Sequence, residues 1–106
     1  MNEADYKTVG QFKQALLEHG VSIHELRVYG SRARGDAGLD SDLDILVVVE
    51  AIHSDTRNIV SECAWKVGFE KDIFIQTVLR SKADIETSPE RSSLFMRSVF
   101  QEGIVV

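Results

Sequence analysis

Between Gly30 and Asp44 the chain reads GSRARGDAGLDSDLD, and the next residues are ILVVVE. Asp42 and Asp44 stand two apart at the threshold of an apolar run, so on a strand their side chains point to the same face. Two carboxylates side by side repel each other and lose hydration on burial. Nothing in the local sequence makes that useful for folding. A divalent cation removes the penalty, and Mg²⁺ prefers oxygen ligands, commonly one or two carboxylates completed by water and substrate phosphates. Gly30 lets the backbone approach an anion closely, and Ser31 offers a hydroxyl and an N–H. Arg32 and Arg34 each fit either a phosphate contact or a solvated loop. An acidic metal site beside an anion cradle suits phosphoryl or nucleotidyl transfer. Up to two ions there would stabilise the attacking and leaving oxygens of an in-line displacement.

Regular elements must hold these residues. Thr8 to Gln11 fits a capping box, and Val9, Phe12, Leu16 and Leu17 recur at helical spacing, with Gly20 placed to end the helix, which predicts a helix over about 8–19. HELRVYG alternates as a short strand ending at Gly30. A loop over 30–41 follows, with one helical turn at 31–34. DLDILVVVE is a second strand, apolar enough to be buried on both faces. Ser54 caps the next helix, whose stripe of Val60, Cys63, Ala64 and Val67 is closed by Gly68. EKDIFIQTV is a third strand with Asp72 near its start. Residues 79–88 read as a loop or a poor helix. Ser88-Pro89 then opens a last helix carrying Leu94, Phe95 and Val99 to Gly103, and GIVV forms an edge strand.

The helix between strands two and three is long enough for a parallel crossover. Their starts then share one end of the sheet, which places Asp72 beside Asp42 and Asp44 as a third carboxylate. Strand one must finish near that end, so it runs antiparallel to strand two. The predicted class is α/β (α+β), a small mixed sheet with helices packed on one side, in a single domain over 1–106.

At these residues the chain resembles a minimal nucleotidyltransferase of the DNA polymerase β-like superfamily. The signature there is Gly-Ser, a spacer, Asp-x-Asp entering a strand, and a third acidic residue on a later strand. Here it reads Gly30-Ser31, ten residues, Asp42-Leu43-Asp44 and then Asp72. The resemblance implies the polymerase β-like fold and transfer of a nucleoside monophosphate, AMP from ATP or another NTP, with Mg²⁺. It implies Asp42, Asp44 and Asp72 as metal ligands and catalytic residues, with Asp72 helping to activate the acceptor hydroxyl. Gly30, Ser31, Arg32 and Arg34 would bind the nucleotide. Larger relatives carry further domains for the acceptor. A chain of this size resembles the antitoxin partner of a helical HEPN ribonuclease, to which it would present AMP for transfer to a tyrosine. Two other functions fit the same residues: an antitoxin module that blocks its partner by contact alone, and an enzyme modifying a small hydroxyl compound such as an antibiotic.

Composition excludes other classes. The net charge is −5, and the basic residues near the motif are only Arg27, Arg32 and Arg34, too few for long nucleic acid as a substrate. The apolar run Ile45 to Val49 is far too short to span a membrane, and MNEADYKTVG lacks the order of a signal peptide. One cysteine, Cys63, cannot form an internal disulfide, which points to a reducing cytoplasm. Trp65, Phe95, Met96 and Phe100 are candidates for a partner-docking face.

Overall fold

The computed structural model describes residues 1–38, 40–87 and 93–106. The first helix, α1 (Glu3–Glu18), starts five residues earlier than the capping-box reading. Asn2 caps it, its side-chain oxygen accepting the Asp5 N–H at 2.8 Å. Thr8 is buried inside the helix, where its hydroxyl donates to the Ala4 carbonyl at 3.0 Å. A threonine satisfied by the preceding turn carries no boundary information.

β1 (Ile23–Tyr29) leads directly into the short α2 (Gly30–Arg34), and β2 is Leu43–Val49. α3 (Thr56–Lys71) crosses over to β3 (Ile75–Ser81), which continues into α4 (Lys82–Glu86). α5 (Leu94–Glu102) and β4 (Ile104–Val105) follow. The predicted opening of the last helix at Ser88-Pro89 lies outside the described residues. Within them, α5 is capped by the Ser93 side chain, which accepts the Met96 N–H at 3.1 Å. The sheet order is β3-β2-β1-β4, with β2 parallel to β3 and antiparallel to β1. This is the mixed sheet that the sequence predicts. No helix among the described residues is long and apolar enough to cross a membrane.

The central strand explains the layering. Ile45, Val47 and Val49 face α1 and α3, packing with Phe12, Leu16, Val60 and Val67 in the main core. The intervening Leu46 and Val48 face the other way and are covered by Met96 and Val99 of α5. A strand apolar on both faces has to be covered twice, so α5 adds a smaller layer opposite the main pair of helices, where the expected packing put helices on one side only. Fully burying a side chain such as Phe12 or Leu46 contributes roughly 1.5–3 kcal/mol.

Two residues at the end of α3 differ from their predicted roles. Gly68 does not close the helix. It lies within it, where an added Cβ would meet the Ile73 carbonyl oxygen at 2.5 Å, so it is glycine because the chain returns against the helix there. The terminating residue is Asp72, left-handed with φ 55°, its N–H bonded back to the Gly68 and Phe69 carbonyls. Asp72 is therefore a helix cap upstream of β3 and not the start of that strand.

These placements have opposite consequences. Gly68→Ala should destabilise the fold by about 1–3 kcal/mol, because backbone must move to admit one methyl group. Asp72→Gly should stabilise it by about 0.5–1 kcal/mol, because glycine adopts the left-handed region without a Cβ penalty. Urea denaturation of both variants checks the pair; a stable Gly68→Ala protein would remove the close-approach account.

Candidate active site

The end of β1 and the start of β2 build the site together. Their register pairs Tyr29 with Asp44, so Gly30 turns away beside that carboxylate. Gly30 has φ 76°, and a Cβ there would lie 2.6 Å from Asp44 Oδ2. Glycine is required twice, once by the left-handed backbone and once by the aspartate. Gly30 is thus required by the fold itself. Its missing side chain lets the Asp44 carboxylate come up against the backbone.

Asp42 is exposed, one residue before β2, and Asp44 is half-buried within it. Among the described residues neither carboxylate has a hydrogen bond or an ion pair. Burial holds the Asp44 pKa above the ordinary carboxylate value, the charge of Asp42 raises it further, and Arg34 opposes both. Tyr29 lies on the same face. Burial, then the Asp44 charge, raises its phenol, with Arg80 opposing. The Tyr29 ring is held edge-on by Phe95, with centroids 5.5 Å apart.

The two arginines of the loop have different environments. Arg32 is nearly buried: Nη1 donates to Asp5 Oδ1 at 2.9 Å, and Nε and Nη2 donate to the Ser41 carbonyl at 3.0 and 2.7 Å. It clamps the residue before Asp42 to α1, and its donors are committed to that task. A free phosphate contact at Arg32 is not what the structure shows. Arg34 is half-exposed, with Nε on Asp36 at 3.2 Å and Nη1 on both oxygens of Glu102 at 3.3 Å. These two partners raise its pKa, Asp36 first. Glu102 Oε1 also accepts the Gly30 N–H at 3.2 Å. Ser31 lies in the first turn of α2, its carbonyl accepting the N–H groups of Gly35 and Asp36.

On the other side of β2 the parallel register pairs Asp44 with Gln76, so this exposed amide points to the same face as the carboxylate. Asp72, four residues upstream in the cap of α3, does not join the pair. Among the described residues no three His, Cys, Asp or Glu side chains are grouped so as to hold a metal. The available donor set is Asp42 and Asp44, with the Gln76 carboxamide oxygen as a neutral neighbour. Two hard oxygen anions close enough to repel each other suit Mg²⁺. Gln76, Tyr29 and Glu102 escape a motif reading. Gln76 becomes visible once the strand register is known, because parallel partners share a face.

Trp65, Phe95 and Phe100 are exposed and Met96 is buried under β2. Trp65 is joined by exposed Phe69 and Phe74 along a cleft of about 760 Å³ between α3 and β3, which Gln76 also lines.

The family model of the nucleotidyltransferase domain matches residues 9–100. A candidate nucleotidyltransferase from Sulfolobus solfataricus is similar in structure, with a TM-score of 0.57 and 17% identity over 99% of this chain and 87% of that one. A chain of a toxin–antitoxin crystallised with AMP-PNP is similar with a TM-score of 0.61 and 19% identity, over 91% of this chain and 69% of that one. At these identities the likeness concerns the fold. Among curated proteins none matches significantly. The family match spans the Gly30-Ser31 turn and both strands that carry Asp44 and Gln76, and on it the chain belongs to the nucleotidyltransferase domain family.

Proposed function

We propose that this chain transfers AMP from ATP to a hydroxyl group of a partner protein, with Mg²⁺ at Asp42 and Asp44, as the antitoxin of a helical HEPN-type ribonuclease toxin. One observation carries the reading: two mutually repelling carboxylates, neither with a hydrogen bond or ion pair among the described residues, stand where the backbone comes so close to Asp44 that only glycine fits at position 30. The similarity in fold to a chain of a toxin–antitoxin with bound AMP-PNP supports the nucleotide and the setting.

In the proposed reaction the acceptor oxygen forms a bond to the α-phosphorus, the bond to the bridging oxygen breaks, diphosphate leaves, and the hydroxyl proton passes to solvent. Bound Mg²⁺ would supply charge neutralisation on the phosphates. Asp42 and Asp44 hold it, and their two negative charges match one divalent ion. A second ion would need its further ligands from the substrate. Gly30 admits the phosphates, and Arg34 is the half-exposed guanidinium beside them. Arg32 sets the loop through Ser41 and keeps Asp42 in place. The aromatic cleft along α3 and β3 lies next to Gln76 and offers a surface on which an acceptor segment would rest.

A second reading has its own support. The β3 residue level with Asp44 is an amide, which cannot take a proton from an acceptor. That favours a module that binds Mg²⁺ and nucleotide and blocks its partner without turnover. Mass spectrometry of a co-purified partner after incubation with ATP and Mg²⁺ separates the two. A gain of one AMP on the partner supports transfer; an unmodified partner that is still inhibited supports blocking. An isolated chain that modified an aminoglycoside efficiently would replace both readings with a small-molecule enzyme.

Asp42→Asn/Asp44→Asn should lose at least tenfold in Mg²⁺-dependent nucleotide binding by calorimetry. Asp72→Asn should bind metal and nucleotide as the wild type does, since Asp72 is a helix cap.

The apo protein should respond to pH at Asp44. The pKa of this group is raised in the fold above its ordinary value of 3.8, so its favourable contribution is complete below that pH and is lost as pH rises through the folded value. At pH 7 ionised Asp44 therefore weakens the fold. Asp44→Asn should raise the apo midpoint there by about 1–4 °C, and the gain should shrink on acidification. A lowered midpoint at pH 7 would make Asp44 a structural residue.

A further inference from the structure

Glu102 ends α5, far from the Gly30–Asp44 segment in sequence. Its Oε1 accepts the Gly30 N–H at 3.2 Å, and both its oxygens lie 3.3 Å from Arg34 Nη1. Packing fixes the position. Met96 and Val99 bury α5 against Leu46 and Val48, and Phe95 meets the Tyr29 ring edge-on. After Glu102 the chain turns at Gly103, where a Cβ would meet the Arg27 side chain at 2.6 Å, and β4 pairs with β1. The carboxylate is thus delivered to these donors by an anchored helix and is largely screened from solvent, its side chain 27% exposed.

A carboxylate and a phosphate are both oxyanions and seek the same donors. Gly30 has one N–H, which serves one acceptor well. Glu102 also brings a negative charge to the N–H of the residue that lies against Asp44.

We infer that Glu102 sets the affinity of this site for a nucleoside triphosphate, by holding with its own carboxylate the Gly30 N–H and the Arg34 guanidinium that an entering phosphate must engage. The inference rests on the nucleotide reading above. Substrate enters by displacing a built-in anion, and binding is weaker by the strength of the contacts exchanged. The competing account is a tether in which Glu102 only fixes α5 to the first turn of α2. The two accounts predict opposite signs. Loss of a tether weakens the fold and loosens the site, whereas loss of a competitor tightens binding.

The experiment is calorimetric titration of ATP with Mg²⁺, and of adenosine, into wild type, Glu102→Gln, Arg34→Ala and the double variant. Glu102→Gln should tighten ATP binding about fivefold or more and leave adenosine unchanged, because adenosine has no phosphate to compete. In the Arg34→Ala background the gain should fall to less than half, since one of the two contested donors is gone. Glu102→Asp keeps the charge but shortens the reach. It should also tighten binding, by less, and it serves if the glutamine variant does not fold. Unchanged or weaker ATP binding by a folded Glu102 variant, where wild type binds ATP, overturns this inference alone. No ATP binding by wild type or any variant overturns it together with the nucleotide site.

Discussion

The contact between Gly30 and Asp44 is the constraint around which the rest of the chain is arranged. A Cβ at position 30 would lie 2.6 Å from the carboxylate oxygen, so the turn out of β1 can reach the acidic strand only as glycine. The approach sets two conditions. The backbone adopts φ 76°, which glycine accepts freely, and Asp44 sits half-buried with its charge opposed by burial and by Asp42. Raised pKa values of this kind concentrate where chemistry is done. The fold supports it with β2, the most deeply buried element, apolar on both faces from Leu43 onward except at Asp44. A site placed on such a strand is held more precisely than one placed on a loop.

The loop between Gly30 and Asp42 would otherwise be free to move the first carboxylate. The Arg32 clamp prevents this by joining the start of α1, the loop and the residue before Asp42 in one set of charge-assisted bonds. Removing one partner from a buried ion pair costs about 3–5 kcal/mol, because the other charge is left without compensation. Two arginines only two residues apart therefore divide the work: Arg32 fixes the loop and Arg34 reaches Glu102, the acceptor of the Gly30 N–H. Sequence alone leaves both readings open for each. What decides between them is Asp5 on a distant helix, a partner that local pattern does not reveal.

Much of the architecture was nevertheless legible. Apolar periodicity marks α1, β2 and α3, and the length of the crossover allows β2 and β3 to be parallel, as they are. The uninterrupted apolar run of β2 announced burial on two faces, although not that α5 would supply the second cover. The errors have a common cause. Thr8, Gly68 and Asp72 were each assigned from the residue type that usually occupies a cap or strand edge, and each is decided by a tertiary or backbone contact. Gly68 answers to the Ile73 carbonyl, and Asp72 occupies the left-handed cap that the glycine was expected to fill. In the site, the adjacent Gly30-Ser31 and Asp42-Leu43-Asp44 pattern was readable because its members are close in sequence. Gln76 and Glu102 come from other elements and have no spacing to betray them.

The neutral amide and the anchored glutamate act on different steps. Gln76 puts an amide, which cannot accept a proton, level with Asp44 on β3, which bears on the chemical step. Glu102 holds donors that phosphate needs, which bears on binding. Both would be disadvantages in an enzyme selected for rapid turnover at low substrate, since catalytic power rests on charge stabilisation prepared in advance. They are tolerable in a protein that modifies or blocks one bound partner, where a single event per encounter suffices. The proposed antitoxin role asks for no more than that, and it explains how a chain can keep the close Gly30–Asp44 approach while leaving its neighbours uncharged on one side and occupied on the other.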